Sequence, residues 1–204
     1  MDILTFEQIR LIFIVYISSI VPLFVIPILY NKGRIPTWVP YVYFFVFIIC
    51  AIGWELWFTY GWIDGYSVNL RRAEVLSKAI PININWFLNS LADSGTVCLG
   101  SLYISWILFK KDNSIFHKWN WNCFFILLIL ALLQNIFVEM FLYHDQLSVD
   151  KPISWAPMSP FGPWINPVLF TFQDRTIYLQ NQMPWLIMTP IYYRIVILFN
   201  SKIK

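Results

Sequence analysis

The stretch "LIFIVYISSIVPLFVIPILY", residues 11 to 30, runs for 20 residues without a charge. A helix that is apolar all round is buried either in a large core or in lipid. A bilayer's hydrocarbon core takes roughly 20 helical residues to cross, and residues 11–30, 38–60, 84–109, 121–143 and 184–200 are each long enough to do so. Hydrophobic residues make up 59% of the 204 and charged ones 12%, which does not fit a soluble domain with a polar surface. The expected fold is an all-α integral membrane protein, a single domain built as a bundle of about five transmembrane helices. The first run is too long for a signal-peptide core and lacks a small-residue cleavage site, so it is expected to remain as a span.

The connections at 31–37 and 110–120 carry Lys32, Arg34, Lys110, Lys111 and Lys118 against Asp112, and the tail adds Lys202 and Lys204. By the positive-inside rule these face the cytoplasm, which puts the N-terminus outside and the C-terminus inside. The membrane would be a bacterial inner membrane or the endoplasmic reticulum. The segment 144–183 is too long for a bare connection, and "SWAPMSPFGPWINPVLFTF" within it is repeatedly broken by proline. It reads as a lid or re-entrant segment on the outer mouth, with an extra span over 154–172 as the alternative. The net charge of +3 is scattered, with no basic run longer than Arg71-Arg72 or Lys110-Lys111, so nucleic acid is not an expected partner. Cys50, Cys98 and Cys123 form no CxxC pattern and read as packing residues.

Three acids fall inside the apolar runs: Glu55 in "IGWELWFTYGW", Asp93 in "NSLADSGTVC" and Glu139 in "QNIFVEMFLYHD". Intramembrane acids are costly and are functional candidates by default. At about 1.5 Å per helical residue all three should lie in the outer half of the bilayer, roughly 6–14 Å from its boundary. Asn85, Asn89 and Asp93 follow at i, i+4 spacing with Thr96 next, and Asn135, Glu139 and Tyr143 repeat the device. Such stripes avoid lipid, so they are expected to face each other or a cavity, with Glu55 as a third wall and Arg194 as the cationic partner of Asp93. Polar residues on such helices also act as interhelical hydrogen bonds, worth only about 0.6–2 kcal/mol each.

Aromatic residues make up 20% of the chain, more than two interfacial belts need, so some should line an internal pocket. Burial there disfavours a carboxylate, and Glu55 is expected to hold its proton and act as a general acid. A proton donor among electron-rich ring faces suits carbocation chemistry on an olefin or epoxide, since each desolvated ring stabilises a cation by about 0.5–2 kcal/mol. The substrate would be a hydrophobic isoprenoid or sterol-like lipid. Asp93 and Glu139 are candidates for a second catalytic group, and Trp54, Trp57, Phe58, Trp86, Asn89, Asn135, Tyr143 and Arg194 for substrate binding. No cofactor or metal is expected: His117 and His144 cannot build a histidine-box or bis-histidine haem site, and no acid run suits Mg²⁺ and a diphosphate. The competing class is a non-catalytic small subunit of a membrane complex or a lipid-binding protein, with a transporter, which would have to oligomerise, as a further alternative. Homo-oligomer formation is open in each case. Convergence of Trp54, Trp57, Phe58 and Trp86 with Glu55 on a closed cavity of a few hundred Å³, on the order usual for ligand sites, would favour the enzyme.

At "AIGWELWFTY" and "NSLADSGTVCLGSLYISW" the chain resembles the integral-membrane terpene cyclases of meroterpenoid pathways, mainly over the second and third spans. The resemblance implies that Glu55 matches the family's catalytic glutamate, which helps protonate a terminal epoxide or alkene of a prenyl chain and starts ring closure. The family typically has seven spans, and its second essential acid lies in the last helix, whereas residues 184–200 contain none. In span count, length and acids near "TVC" the chain is more distantly similar to the sterol isomerase and sigma-2 receptor superfamily, which implies protonation of a sterol double bond.

Overall fold

The computed structural model describes residues 4–60, 72–143, 167–172 and 175–203. Helix α1 (Phe6–Asn31) opens on a capping box, in which the Thr5 hydroxyl accepts from the Gln8 amide and the Gln8 side chain from the Thr5 amide. Two donors that every helix start leaves open are satisfied this way. Helices α2 (Val39–Ile52) and α3 (Trp54–Tyr60) meet at a 43° bend. Gly53 permits it, for a Cβ there would lie 2.6 Å from the Ile49 carbonyl oxygen. Short α4 (Glu74–Ala79) leads into a long rod made of α5 (Ile82–Ala92), a π-helical segment (Asp93–Leu99) and α6 (Gly100–Leu108). After a 3₁₀ turn (Asn113–Phe116), α7 (Trp121–Val138) starts on an Asn120 cap and runs into a second π-helical segment (Glu139–Tyr143). An antiparallel hairpin of β1 (Val168–Phe172) and β2 (Arg175–Tyr178), bulged between Val168 and Phe170, enters the last helix, α8 (Leu179–Lys202).

α1 lies parallel to the rod: the Tyr16 hydroxyl reaches the Ala79 carbonyl at 3.3 Å and the Ser19 hydroxyl the Leu88 carbonyl at 2.7 Å, and Pro22 sits on Gly95. α8 lies antiparallel to α7, with Gln182 at Asn135 and Tyr193 beside the turn that precedes α7. The bundle therefore has two ends. One gathers the hairpin, α4 and the ends of α3 and α7; the other gathers residues 31–38, 108–121 and 200–203. The core between them is formed by α2, the π-helical segment, α7 and α8, with Val46, Cys50, Val97, Leu127 and Tyr192 buried together.

The outer surface carries exposed large apolar side chains along its length, among them Phe13, Phe24, Phe44, Leu133 and Phe137. α1, the rod from Ile82 to Leu108 and α7 with its extension to Leu142 are long and apolar enough to cross a membrane, and the bent α2–α3 pair makes a fourth if it counts as one span. α8 is long enough but falls outside this group: it begins with Gln180, Asn181 and Gln182, all buried, and carries Arg194, Asn200 and Lys202 further on. Polar "LQNQ" hides this start, so the sequence reading begins the last helix at 184 instead of Leu179. Within the segment 144–183, expected to form a lid or re-entrant stretch, 168–172 and 175–178 pair as the two strands and 179–183 are the first turns of α8. Residues 144–166 lie outside the described residues, and the strand at 168–172 is at odds with a helical span over 154–172.

Candidate functional site

Each of the three acids stands where its helix departs from regular α geometry. Glu55 lies in the first turn beyond the Gly53 bend, Asp93 is the first residue of one π-helical segment and Glu139 the first of the other. π-helical stretches, with i→i+5 hydrogen bonds, are rare and recur at functional sites. The glycine is visible in the sequence. The π-helical segments have no sequence signature.

Glu55 is buried, 2% exposed, and the Asp93 carboxyl and the Asn89 side chain adjoin it. The Thr59 hydroxyl, one turn on, reaches Glu55 Oε2 at 3.5 Å. The Trp54 indole N–H donates to Asp93 Oδ2 at 3.0 Å. Neither acid has a lysine or arginine partner among the described residues. The expected Asp93–Arg194 pair is therefore corrected: Arg194 lies on an exposed face of α8. Thr96 also leaves the stripe, because the wider π turn rotates it outward, where it donates to the Ser18 carbonyl at 2.6 Å.

Trp54, Trp57 and Phe58 pack with Met183 of α8, and Trp54 meets Trp185 with ring centroids 5.7 Å apart. Trp86 gives its indole N–H to the Ala51 carbonyl at 2.7 Å, next to the Gly53 bend. Asn85 accepts from Arg72 at 3.2 Å, and Arg72 also donates to the Ile80 carbonyl at 2.8 Å. Burial lowers the Arg72 guanidinium to about 10, which leaves it charged at neutral pH.

Glu139, fully buried, belongs to a different centre. Its Oε1 accepts from Asn181 at 2.6 Å and from the Tyr178 backbone amide at 3.3 Å, and its Oε2 accepts from Gln182 at 2.8 Å. Asn135 donates to Gln182 Oε1 and to the Asn181 carbonyl, both at 2.8 Å, and accepts from the Trp185 indole at 3.2 Å. The two stripes thus do not face each other. Asn135 and Glu139 turn toward α8, Asn89 and Asp93 toward α3, and the Trp54–Trp185 contact joins the two centres. The side chain of Tyr143 lies outside the described residues.

Sequence reasoning found the acids and the α3 aromatics but missed Trp185, Asn181, Gln182 and Thr59. Trp185 carried no signal of its own, since a tryptophan at the start of an apolar run reads as an interfacial residue. A cavity of about 10 Å³, room for roughly one water, lies behind Trp185 between Val97, Leu127, Met188 and Tyr192; Glu55, Trp54, Trp57, Phe58 and Trp86 do not line it, so it is not the large closed cavity expected of the enzyme. Among the described residues no group of three or more His, Cys, Asp or Glu is placed to hold a metal ion. No protein-family model, curated protein or solved structure matches the chain.

Proposed function

We propose that this is a membrane-embedded enzyme that protonates an olefin or epoxide of a hydrophobic isoprenoid or sterol-like lipid, with Glu55 as the donor. The observation that carries the reading is an adjoining pair of carboxyls, buried Glu55 and half-buried Asp93, with no lysine or arginine to balance it among the described residues and with Trp54 beside it. Two adjoining carboxyls in an apolar surrounding repel as anions, so the pair is best satisfied holding a proton. The roles then divide. An indole N–H can only donate, so Trp54 holds Asp93 Oδ2 as an acceptor, and Glu55 keeps the proton to give.

In the reaction the Glu55 O–H adds its proton to the alkene carbon or epoxide oxygen, leaving a carbocation that the Trp54, Trp57 and Phe58 rings stabilise by about 0.5–2 kcal/mol each. Loss of a proton from the cyclised or isomerised cation to the carboxylate pair restores the starting state. The likeness at "AIGWELWFTY" to membrane terpene cyclases supports the assignment of Glu55. Five spans with the N-terminus outside and the C-terminus in the cytoplasm complete the proposal, with α8 as the fifth, its polar start shielded by α7. The lipid would enter from the bilayer.

The close packing of Trp54, Trp57 and Phe58 on Met183 favours a second reading, a non-catalytic subunit or lipid-binding protein whose acids are buried structural groups. One experiment separates them. The purified protein is incubated in D₂O with an epoxidised polyprenyl lipid or an unsaturated sterol; ring-closed alcohol is the readout for the epoxide, and carbon-bound deuterium, which only protonation at an alkene carbon leaves, is the readout for the sterol. Glu55→Gln should lower product formation by about 10²-fold or more without lowering stability. Equal turnover by the variant overturns the donor role, and absence of product from either substrate with the native chain favours the second reading.

A further inference from the structure

The end of the bundle opposite the hairpin is basic. Exposed Lys32, Arg34, Lys110, Lys111, Lys118 and Lys202 surround Asp112, whose carboxyl is engaged by the Ser114 hydroxyl at 2.6 Å and amide at 2.8 Å. Ring contacts place Trp38 on Phe116 at 5.4 Å and Trp119 on Trp121 at 5.5 Å at this level. Tryptophans of this kind mark the depth of lipid headgroups.

Two helices stop at this end with the same chain reversal and different residues. After α1, Gly33 takes φ +61°, its amide donates to the Tyr30 carbonyl at 2.9 Å and the Arg34 amide to the Leu29 carbonyl at 2.9 Å. That is the usual solution, because glycine meets no Cβ penalty in the left-handed region. After α6, the Lys110 amide donates to the Ile107 carbonyl at 2.9 Å and the Lys111 amide to the Trp106 carbonyl at 2.8 Å. There the left-handed positions are two successive lysines, Lys110 at φ +54° and Lys111 at φ +65°. Folding alone favours glycine or asparagine there. Non-glycine residues in this region persist where the surroundings fix them, often at binding sites. Lys111 Nζ stands 5.9 Å from the Trp106 ring centroid, which holds one ammonium at the level of the indole.

We propose that Lys110 and Lys111 form a clamp for the phosphate of an anionic phospholipid in the leaflet at this end, with Trp106 as its interfacial floor. Strain at the turn is retained for the sake of two successive lysines, with the Lys111 ammonium held at the indole, beyond what a general excess of positive charge requires. The clamp is independent of the chemistry at Glu55.

The test uses the full chain in a neutral detergent, titrated with short-chain phosphatidylglycerol, short-chain phosphatidylcholine and inorganic phosphate. Near a membrane surface each lysine contributes roughly fivefold to anionic-lipid binding. Lys110→Asn with Lys111→Asn should therefore weaken phosphatidylglycerol binding by about 25-fold, while raising the lipid-free Tm by about 2–4 °C, because asparagine tolerates the left-handed region better. Lys118→Asn with Lys202→Asn keeps the same net charge as that variant, and because these lysines stand outside the clamp it should weaken binding distinctly less. The proposal is overturned if the two double variants lose affinity equally, if the Lys110/Lys111 variant binds like the native chain, if it melts lower than the native chain, or if inorganic phosphate or phosphatidylcholine binds as tightly as phosphatidylglycerol.

Discussion

Trp185 decides the direction of every hydrogen bond around Glu139. Its indole can only donate, so Asn135 must turn its oxygen to Trp185 and its amide nitrogen to Gln182 and the Asn181 carbonyl. Gln182 then has its nitrogen left for Glu139 Oε2, and Asn181 supplies a donor to Oε1. Both glutamate oxygens accept, so the carboxyl ties the start of α8 to α7. Glu139→Gln would set an NH₂ group against one of these donors in either amide orientation. Thermal unfolding should show a loss of about 1–3 kcal/mol, where Glu55→Gln, facing the long Thr59 contact at 3.5 Å and the Asn89 side chain, whose amide can turn to meet a glutamine, should show none. Equal stability of Glu139→Gln and the native chain would contradict the directed network. The acids were legible in the sequence because charge is rare in an apolar run. Their partners were not, since pairing Glu139 with Asn181 and Gln182 requires the last helix to begin at Leu179, inside a stretch polar enough to read as loop.

The rod from Ile82 to Leu108 shows what a π-helical segment does to an element. It carries seven residues from Asp93 to Leu99 through a wider turn, which moves Thr96 off the Asn85–Asn89–Asp93 face and lets Gly95 meet α1. A Cβ at Gly95 would stand 2.7 Å from Pro22 Cγ and 3.0 Å from a Tyr43 ring carbon, whereas a Cβ at Gly100, five residues on, meets nothing within 4 Å. Gly95→Ala should therefore cost about 1–3 kcal/mol through overpacking between α1, α2 and the rod. Gly100→Ala should be neutral or stabilising by about 0.5–1 kcal/mol, the ordinary helical gain over glycine. Melting curves of the two variants side by side check this, and a Gly95→Ala as stable as Gly100→Ala would mean that the π-helical segment is not pressed against Pro22. Regular periodicity located this helix to within two residues at its start and one at its end, 84–109 against Ile82–Leu108. It could not locate the break, because an α period carried across residue 93 puts Thr96 on the acid stripe.

The order of helices along the chain fixes which charges share an end. α1 is parallel to the rod and α7 antiparallel to α8, the arrangement expected when the first and third, and the fourth and fifth, of successive crossings are compared. Residues 32–34, 110–118 and 202 therefore meet at one end with six exposed Lys or Arg residues, and α4, bearing an exposed Glu74–Lys78 pair at 2.9 Å, lies at the other. Positive charge in short loops resists translocation, so the proposed topology has the six-cation end in the cytoplasm and α4, with the acid centres nearer to it, toward the outer face. The three native cysteines are buried, so a new surface cysteine is a clean reporter. Lys78→Cys should react with a membrane-impermeant maleimide in intact expressing cells, and Lys118→Cys only after the membrane is permeabilised. Reaction at Lys118→Cys in intact cells, with Lys78→Cys protected, would invert the molecule. It would also put the lysine clamp in the outer leaflet, where an anionic partner would have to be found outside the cell.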